Sequence, residues 1–340
     1  MSMRAEQDEA AALLDGLNFD TLLKALTVGR GYEAALRDPP GRQGWSDAVP
    51  SSLSFGQLEI KVDQLARLLA INRAQPGARV AILAPMGPEA IVSVLACLRV
   101  GLSPLLLPLH GNELDLLRLI EASDAVMAIG VSRVGTMRPL LMLRELAVRA
   151  FGTRFVGGFG AQVPDGIAPL DTLMASATLH PLPEVTQRTT LQLVDAVTLA
   201  GPMAVSERDV LGKALEISRL LKPMASSRIV TTLVGGDLAA LASGPAMAML
   251  TGVELLPLGL FSLGDLQACI EGGRNVHLIL PGAMEPALAH SRLASHPALA
   301  SLVLVHRPAA SRALPALGRP DIAIVDVDVT SAAEISVSRR

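Results

Sequence analysis

Asp115-Leu-Leu-Arg-Leu-Ile-Glu121 and Asp265-Leu-Gln-Ala-Cys-Ile-Glu271 decide the fold of this 340-residue chain, because the second run repeats the first at an offset of 150. In both, an acid opens and closes a stretch whose apolar positions recur at helical spacing, so each lays one face on a core. Working outward, each run is preceded by matching elements. Ser54 and Gln57 have capping-box spacing ahead of Leu58, Val62, Leu65 and Leu69. Ser206 and Asp209 stand likewise ahead of Val210, Ala214, Ile217 and Leu221. Both apolar sets fall on one helical face. The helices break at Pro76 and Pro223, and the apolar runs 79–83 and 228–233 follow without alternation, as strands covered on both faces do.

A second helix comes next, over 88–100 in one copy and 238–250 in the other, where Pro245 either kinks it or restarts it. Gly101 and Gly252 end these helices, and the strands 104–108 and 254–257 lead to the two quoted runs. One more strand follows each, over 125–129 and 276–280, so residues 54–130 return as 206–282. Strands alternating with helices of this length build right-handed β-α-β units. The expected fold is α/β, with two duplicated, doubly wound parallel-sheet lobes. The expected division is an N-terminal lobe with a helical lead-in over 1–190, a second lobe over 191–308, and a short β tail over 309–340. Between the copies the pattern gives a helix over 136–150, a strand near 154–156, a Pro-rich loop and a strand over 191–199. The tail offers strands at 322–329 and 334–338, remnants of an incomplete third, barrel-like subdomain.

Half the residues are hydrophobic and the mean hydropathy is +0.44, enough for a large core without disulfides or metals. Six phenylalanines, one tyrosine and one tryptophan leave that core to Leu, Val, Ala, Ile and Met, and leave few platforms for stacking bases or sugars. A formal charge of −3 and a pI near 6.1 supply no footprint for nucleic acid. Cys97 and Cys269 stand apart inside apolar helical patterns and read as buried thiols of a reducing compartment. Residues 1–10 carry acids where a signal peptide has a basic and then an apolar region. No apolar run is long enough to cross a bilayer. A cytoplasmic location is expected.

Three stretches resemble the opening of AMP-forming acyl-CoA synthetases of the adenylate-forming superfamily: Leu53-Ser-Phe-Gly-Gln-Leu, Pro76-Gly-Ala-Arg-Val-Ala-Ile-Leu-Ala-Pro-Met, and Leu98-Arg-Val-Gly-Leu-Ser-Pro. The resemblance continues through Thr251-Gly-Val-Glu-Leu-Leu-Pro and Val276-His-Leu-Ile-Leu-Pro, and covers roughly residues 45–306. It implies two similar α/β lobes followed by a small barrel and a mobile lid, and a use of ATP, magnesium and CoA.

The catalytic motifs of that family are where this sequence departs. Its phosphate loop is a Ser/Thr/Gly-rich run ending Gly-x-Pro-Lys, whose N–H groups and lysine would cradle and neutralise phosphates. Here Ala200-Gly-Pro-Met-Ala-Val-Ser206 keeps only Gly201-Pro202, and Met203 stands at the lysine position. A tight turn feeding a capped helix is the plain alternative. Where the family places an aromatic and a histidine at the acyl pocket, this chain has Val234-Gly-Gly-Asp237. It has no Tyr-Gly-x-Thr-Glu run, and its one tyrosine is Tyr32. No cofactor and no metal are therefore expected.

His110 and His277 read as polar groups at strand ends, and His290 and His296 have no metal-ligand spacing. Gly157-Gly158-Phe159-Gly160 is a weak dinucleotide fingerprint, because no helix pattern follows at once. Asp326 and Asp328 alternate with valines and read as a solvated strand face.

The expected ligand site is the crevice between lobes, at Gly201, Pro202, Gly235, Gly236, Asp237, Pro281 and Gly282. These small residues leave room but supply little charge, which suits an apolar acyl chain better than a triphosphate. The expectation is a catalytically deficient acyl-CoA synthetase-like protein that binds an acyl group, an acyl carrier or a partner enzyme, or forms a homo-oligomer. Two alternatives use the same residues: an acid–thiol ligase completed by a partner that supplies the lid, and a pure scaffold subunit.

Overall fold

A computed structural model describes residues 13–72, 74–177, 180–185, 189–307, 317 and 321–340. The acid-bearing N-terminus and most of the segment 308–320 lie outside these. The chain runs through α1 (Phe19–Arg30), β1 (Ala34–Arg37), β2 (Ser52–Ser54), α2 (Phe55–Ile71), β3 (Arg79–Leu83), α3 (Pro88–Arg99) and β4 (Ser103–Leu106). Then come α4 (Glu113–Ala122), β5 (Met127–Val131), α5 (Pro139–Arg149), β6 (Phe155–Phe159), β7 (Ala168–Pro169), α6 (Leu170–Ser176), β8 (Thr190–Leu193) and β9 (Met203–Ser206). The rest is α7 (Glu207–Leu221), β10 (Arg228–Thr231), α8 (238–251), β11 (Glu254–Pro257), α9 (Leu263–Glu271), β12 (Val276–Pro281), α10 (Glu285–Ala289), β13 (Leu299–His306), β14 (Ala323–Ser331) and β15 (Glu334–Arg339).

Two mixed, mainly parallel sheets result. The first has strand order β7-β6-β5-β3-β4-β8-β9 and the second β15-β14-β13-β12-β10-β11-β1-β2. In the first, β3 lies between β4 and β5; in the second, β10 lies between β11 and β12. The two repeated runs thus share element order and sheet order.

The helices begin where the capping chemistry says. Ser54, Ser206 and Ser262 each accept from the N–H three residues on, while Gln57, Asp209 and Asp265 reach back to close the box. Such a cap is worth about 1 kcal/mol. Leu58, Val62, Leu65 and Leu69 of α2 and Val210, Ala214 and Ile217 of α7 are buried in one core that spans both sheets. Each fully buried Leu, Val or Ile contributes roughly 1.5–3 kcal/mol. Pro245 sits within α8 and does not restart it. The helix opens into one π turn over Ala242–Ala246 and continues as Met247–Thr251.

The sheets differ from the sequence expectation at their margins. The strand expected over 191–199 stops at Leu193, joins the first sheet, and is followed by β9 running antiparallel to it. The β1 and β2 strands cross to the second sheet, where Leu36 pairs with Leu255. The described part of the tail is no separate layer: β14 lies parallel to β13 and β15 antiparallel to β14. Asp326 is not a solvated residue of that tail. It is 1% exposed, facing His306 Nε2 at 2.7 Å and Arg340 Nε at 2.7 Å. Burial pushes its carboxyl up, but the hydrogen bonds from Arg340 and His306 outweigh that and hold it below the usual carboxylate range.

Candidate functional site

A crevice of about 360 Å³ opens between the two sheets. It lies beyond the carboxyl ends of parallel strands, the place where open α/β sheets leave a gap between diverging loops. The first sheet contributes Leu106 at the end of β4, Pro108, Leu109 and His110 after it, Val134 and Met137 after β5, and Val194 and Ala196 after β8. The second contributes Thr232 to Gly236 after β10, Leu260 after β11, Pro281 at the end of β12 and Arg307 after β13. The walls are mostly apolar, and Arg307 and the exposed His110 are the ionisable side chains among these residues.

Of the residues named from sequence, Gly235, Gly236 and Pro281 line the crevice. Asp237 lies directly behind it as the N-cap of α8. Its Oδ1 accepts from Ala240 N at 2.9 Å and its Oδ2 is bonded to Arg307. Gly282 is packed against the His306 ring, which leaves no space for a side chain. Gly201 and Pro202 fall in the turn between β8 and β9 and do not line the crevice. The loop approach is closest at Gly236, where a Cβ would stand 2.5 Å from Leu106 Cβ. At Gly235 a Cβ would meet nothing within 4 Å. Met86 N donates to Val234 O at 3.2 Å and ties the two lobes at the same level.

Sequence reasoning missed Arg307 and the apolar lining from the first sheet. Arg307 directly follows β13, so the strand-end rule applied to that strand would have found it. Its guanidinium is 21% exposed and pairs with an Asp237 carboxylate that is 2% exposed.

The 194–202 turn is organised by an acid. Asp195 Oδ1 accepts from Val197 N at 2.9 Å, Thr198 N at 2.7 Å and Thr198 Oγ1 at 3.0 Å. These bonds end β8, because the N–H groups that would continue the ladder turn back on the side chain. Burial pushes the Asp195 carboxyl up, yet the bonds from Thr198 and Val197, with the charge of Arg307, hold it below the usual range. The turn therefore presents a carboxylate whose local N–H donors are already used.

Elsewhere, a cleft of about 410 Å³ at the end of β6 is lined by Asp47, Lys61, Glu89, Phe159 and Asp171, among others. Its acids hold its own walls together: Asp47 accepts from Ser132 and from Gln162 N, Asp171 from Gly160 N, and Glu89 pairs with Arg42. The glycines of β6 serve packing, since a Cβ at Gly157 or Gly158 would run into Leu170 or Leu140. His277 is buried rather than a polar strand end, with Nδ1 2.7 Å from Ser301 Oγ, and burial lowers its pKa to about 4. Both cysteines are buried, and burial pushes the Cys269 thiol up to about 11. Among the described residues no group of three or more His, Cys, Asp or Glu could hold a metal, and no helix is long and apolar enough to cross a membrane.

The sequence pattern of the AMP-binding enzyme family matches residues 33–152. A segment of 49 residues is 45% identical to acetyl-coenzyme A synthetase of Chlorobaculum tepidum, covering 14% of this chain and 7% of that protein. Among solved structures, the anthranilate CoA ligase AuaEII with anthranoyl-AMP superposes with a TM-score of 0.75 at 13% identity, covering 92% of this chain and 60% of that one. Apo MbtA of Mycobacterium smegmatis gives 0.73 at 18% identity, covering 98% of this chain and 61% of that one. The chain thus spans about three fifths of the length of these two proteins and shares their fold over that span.

Proposed function

We propose that this acyl-CoA synthetase-like chain binds an acyl-type ligand in the crevice between its sheets and does not itself adenylate it. One observation carries this reading: the turn between β8 and β9 uses the N–H groups of Val197 and Thr198 on its own Asp195 carboxylate. A phosphate cradle needs those donors free and needs positive charge. The residues of this turn therefore do not fit a triphosphate, and Met203, the first residue of β9, adds no charge. The crevice suits an apolar guest, with Leu106, Val134, Met137 and Leu233 among its walls.

The test is ATP–pyrophosphate exchange on the folded chain against a panel of fatty and aromatic acids. No exchange above background is expected. Acid-dependent exchange would overturn the reading and restore a ligase that handles ATP by other groups.

A further inference from the structure

We infer that residues 38–47 form a clasp between the two walls of the crevice, with Trp45 as its central contact, and that the crevice opens when this clasp lets go. Two loops supply facing walls: Val134 and Met137 stand after β5, and Leu260 after β11. A Cβ on Gly135 would meet Leu260 Cδ1 at 3.2 Å, so the loops touch one residue beyond Val134. Trp45 holds both loops there. Its carbonyl accepts from Gly135 N at 2.6 Å, and its ring lies so close to Gly259 that a Cβ there would stand 2.7 Å from Cζ2. Gly135 and Gly259 have φ of +60° and +62°, a region glycine enters without strain, so no side chain separates either loop from the tryptophan.

The rest of the segment is tied to both lobes. Toward the first, Arg133 Nη2 donates to Gln43 O at 2.9 Å and to Ser46 O at 2.5 Å, and Ser132 Oγ donates to Asp47. The Arg42 guanidinium joins Asp38 to Glu89 of α3. Toward the second, Gly41 packs on Asp265 of α9, where a Cβ would stand 2.2 Å from Oδ1. The core shared by both sheets and the Met86–Val234 bond hold the lobes together independently of this segment. Release of the segment therefore frees the two loops without unfolding either lobe.

A separate observation makes this contact one that yields. Arg42 Nε and Trp45 Nε1 are buried donors with no acceptor among the described residues. Protein interiors hold few such groups, because a donor cut off from water loses its hydrogen bond without replacement. Arg42 Cζ lies 5.7 Å from the centroid of the Trp45 ring, so both orphaned donors belong to one contact. Opening the clasp returns them to water and offsets part of the packing lost. It thus opens more readily than an apolar contact of equal size.

Val134 is 2% exposed although it lines the crevice, so a thiol in its place reports on the clasp. The experiment is modification of the Val134→Cys chain by a bulky maleimide, followed by mass spectrometry against the native Cys97 and Cys269. Those two thiols are buried in different cores and report unfolding of the lobes. Adding Trp45→Ala should speed modification at position 134 by ~10-fold or more, with a much smaller change at Cys97 and Cys269. Trp45→Phe keeps a ring over Gly259 and should restore most of the protection. No change at position 134, or a rise that merely follows Cys97 and Cys269, overturns the inference. Should Trp45→Ala fail to fold, Arg133→Met is judged by the same criterion, since it removes the bonds to Gln43 O and Ser46 O and leaves the tryptophan in place. No guest enters the experiment, so its failure leaves the proposed function standing, and failure of that function in the exchange assay leaves the clasp standing.

Discussion

Gly235 and Gly236 stand side by side at the mouth of the crevice, and the structure gives them opposite tolerances. A Cβ on Gly236 would lie 2.5 Å from Leu106 Cβ, 2.7 Å from its Cδ1 and 3.0 Å from its Cγ. Leu106 is 6% exposed and belongs to β4, so its Cβ moves only with the strand backbone. Gly236→Ala must push the 232–237 loop off the first sheet, a strain of about 1–3 kcal/mol. Gly235→Ala meets nothing within 4 Å, and its φ lies outside the left-handed region. Such a change stabilises by roughly 0.4–1 kcal/mol through the unfolded chain. Urea unfolding followed by circular dichroism should therefore separate the two variants by about 1.4–4 kcal/mol. Leu106→Ala removes the Cδ1 and Cγ contacts and keeps the Cβ one, so it should relieve Gly236→Ala only in part, as a double-mutant cycle reads out. Equal stability of the two glycine variants would refute the contact between sheets on which the crevice depends.

Two further outcomes concern buried ionisable groups. His277 is neutral in the fold with its pKa lowered to about 4, so protonation favours the unfolded chain below the ordinary value near 6.5. Stability should be full above pH 6.5 and fall by up to ~3 kcal/mol as pH drops toward 4. His277→Gln should flatten that part of a pH series of urea unfolding curves, and an unchanged slope would count against the assignment. Arg340 bonds Asp326 at 2.7 and 2.8 Å and Glu285 at 2.7 and 3.0 Å, and both carboxylates are 1% exposed. Arg340→Ala removes these four bonds from two buried carboxylates and should cost about 3–5 kcal/mol. Since the folded Asp326 carboxyl is depressed, its contribution is present above the ordinary value of 3.8 and is lost as pH falls through the folded one. A neutral effect of Arg340→Ala at pH 7 would refute the network.

The central elements were legible because local signals agreed with the tertiary arrangement. Ser54–Gln57 and Ser206–Asp209 fixed helix starts, and the apolar runs at 79–83 and 228–231 lie in sheet centres where no face is wet. The margins were not legible for the converse reason. Residues 194–199 read as a continued strand, since Val197 and Leu199 are apolar. The side chain of Asp195 takes two N–H groups there and turns the chain. Asp326 alternates with valines as a surface residue would, yet its partners come from residues 306 and 340, which no local pattern connects to it.

The same limit explains which part of the crevice could be anticipated. Gly236 advertises itself, because a Cβ there would stand 2.5 Å from Leu106 Cβ, so the loop excludes any larger residue, and glycine is visible in a sequence. Arg307 gives no such sign: as a residue type it is an ordinary surface cation, and only the pairing with an Asp237 that also caps α8 makes it a fixed one. The charge balance follows from that placement. The Asp195 turn meets its own negative charge with its own donors, and the Asp237 cap meets its charge with a helix terminus and with the Arg307 guanidinium.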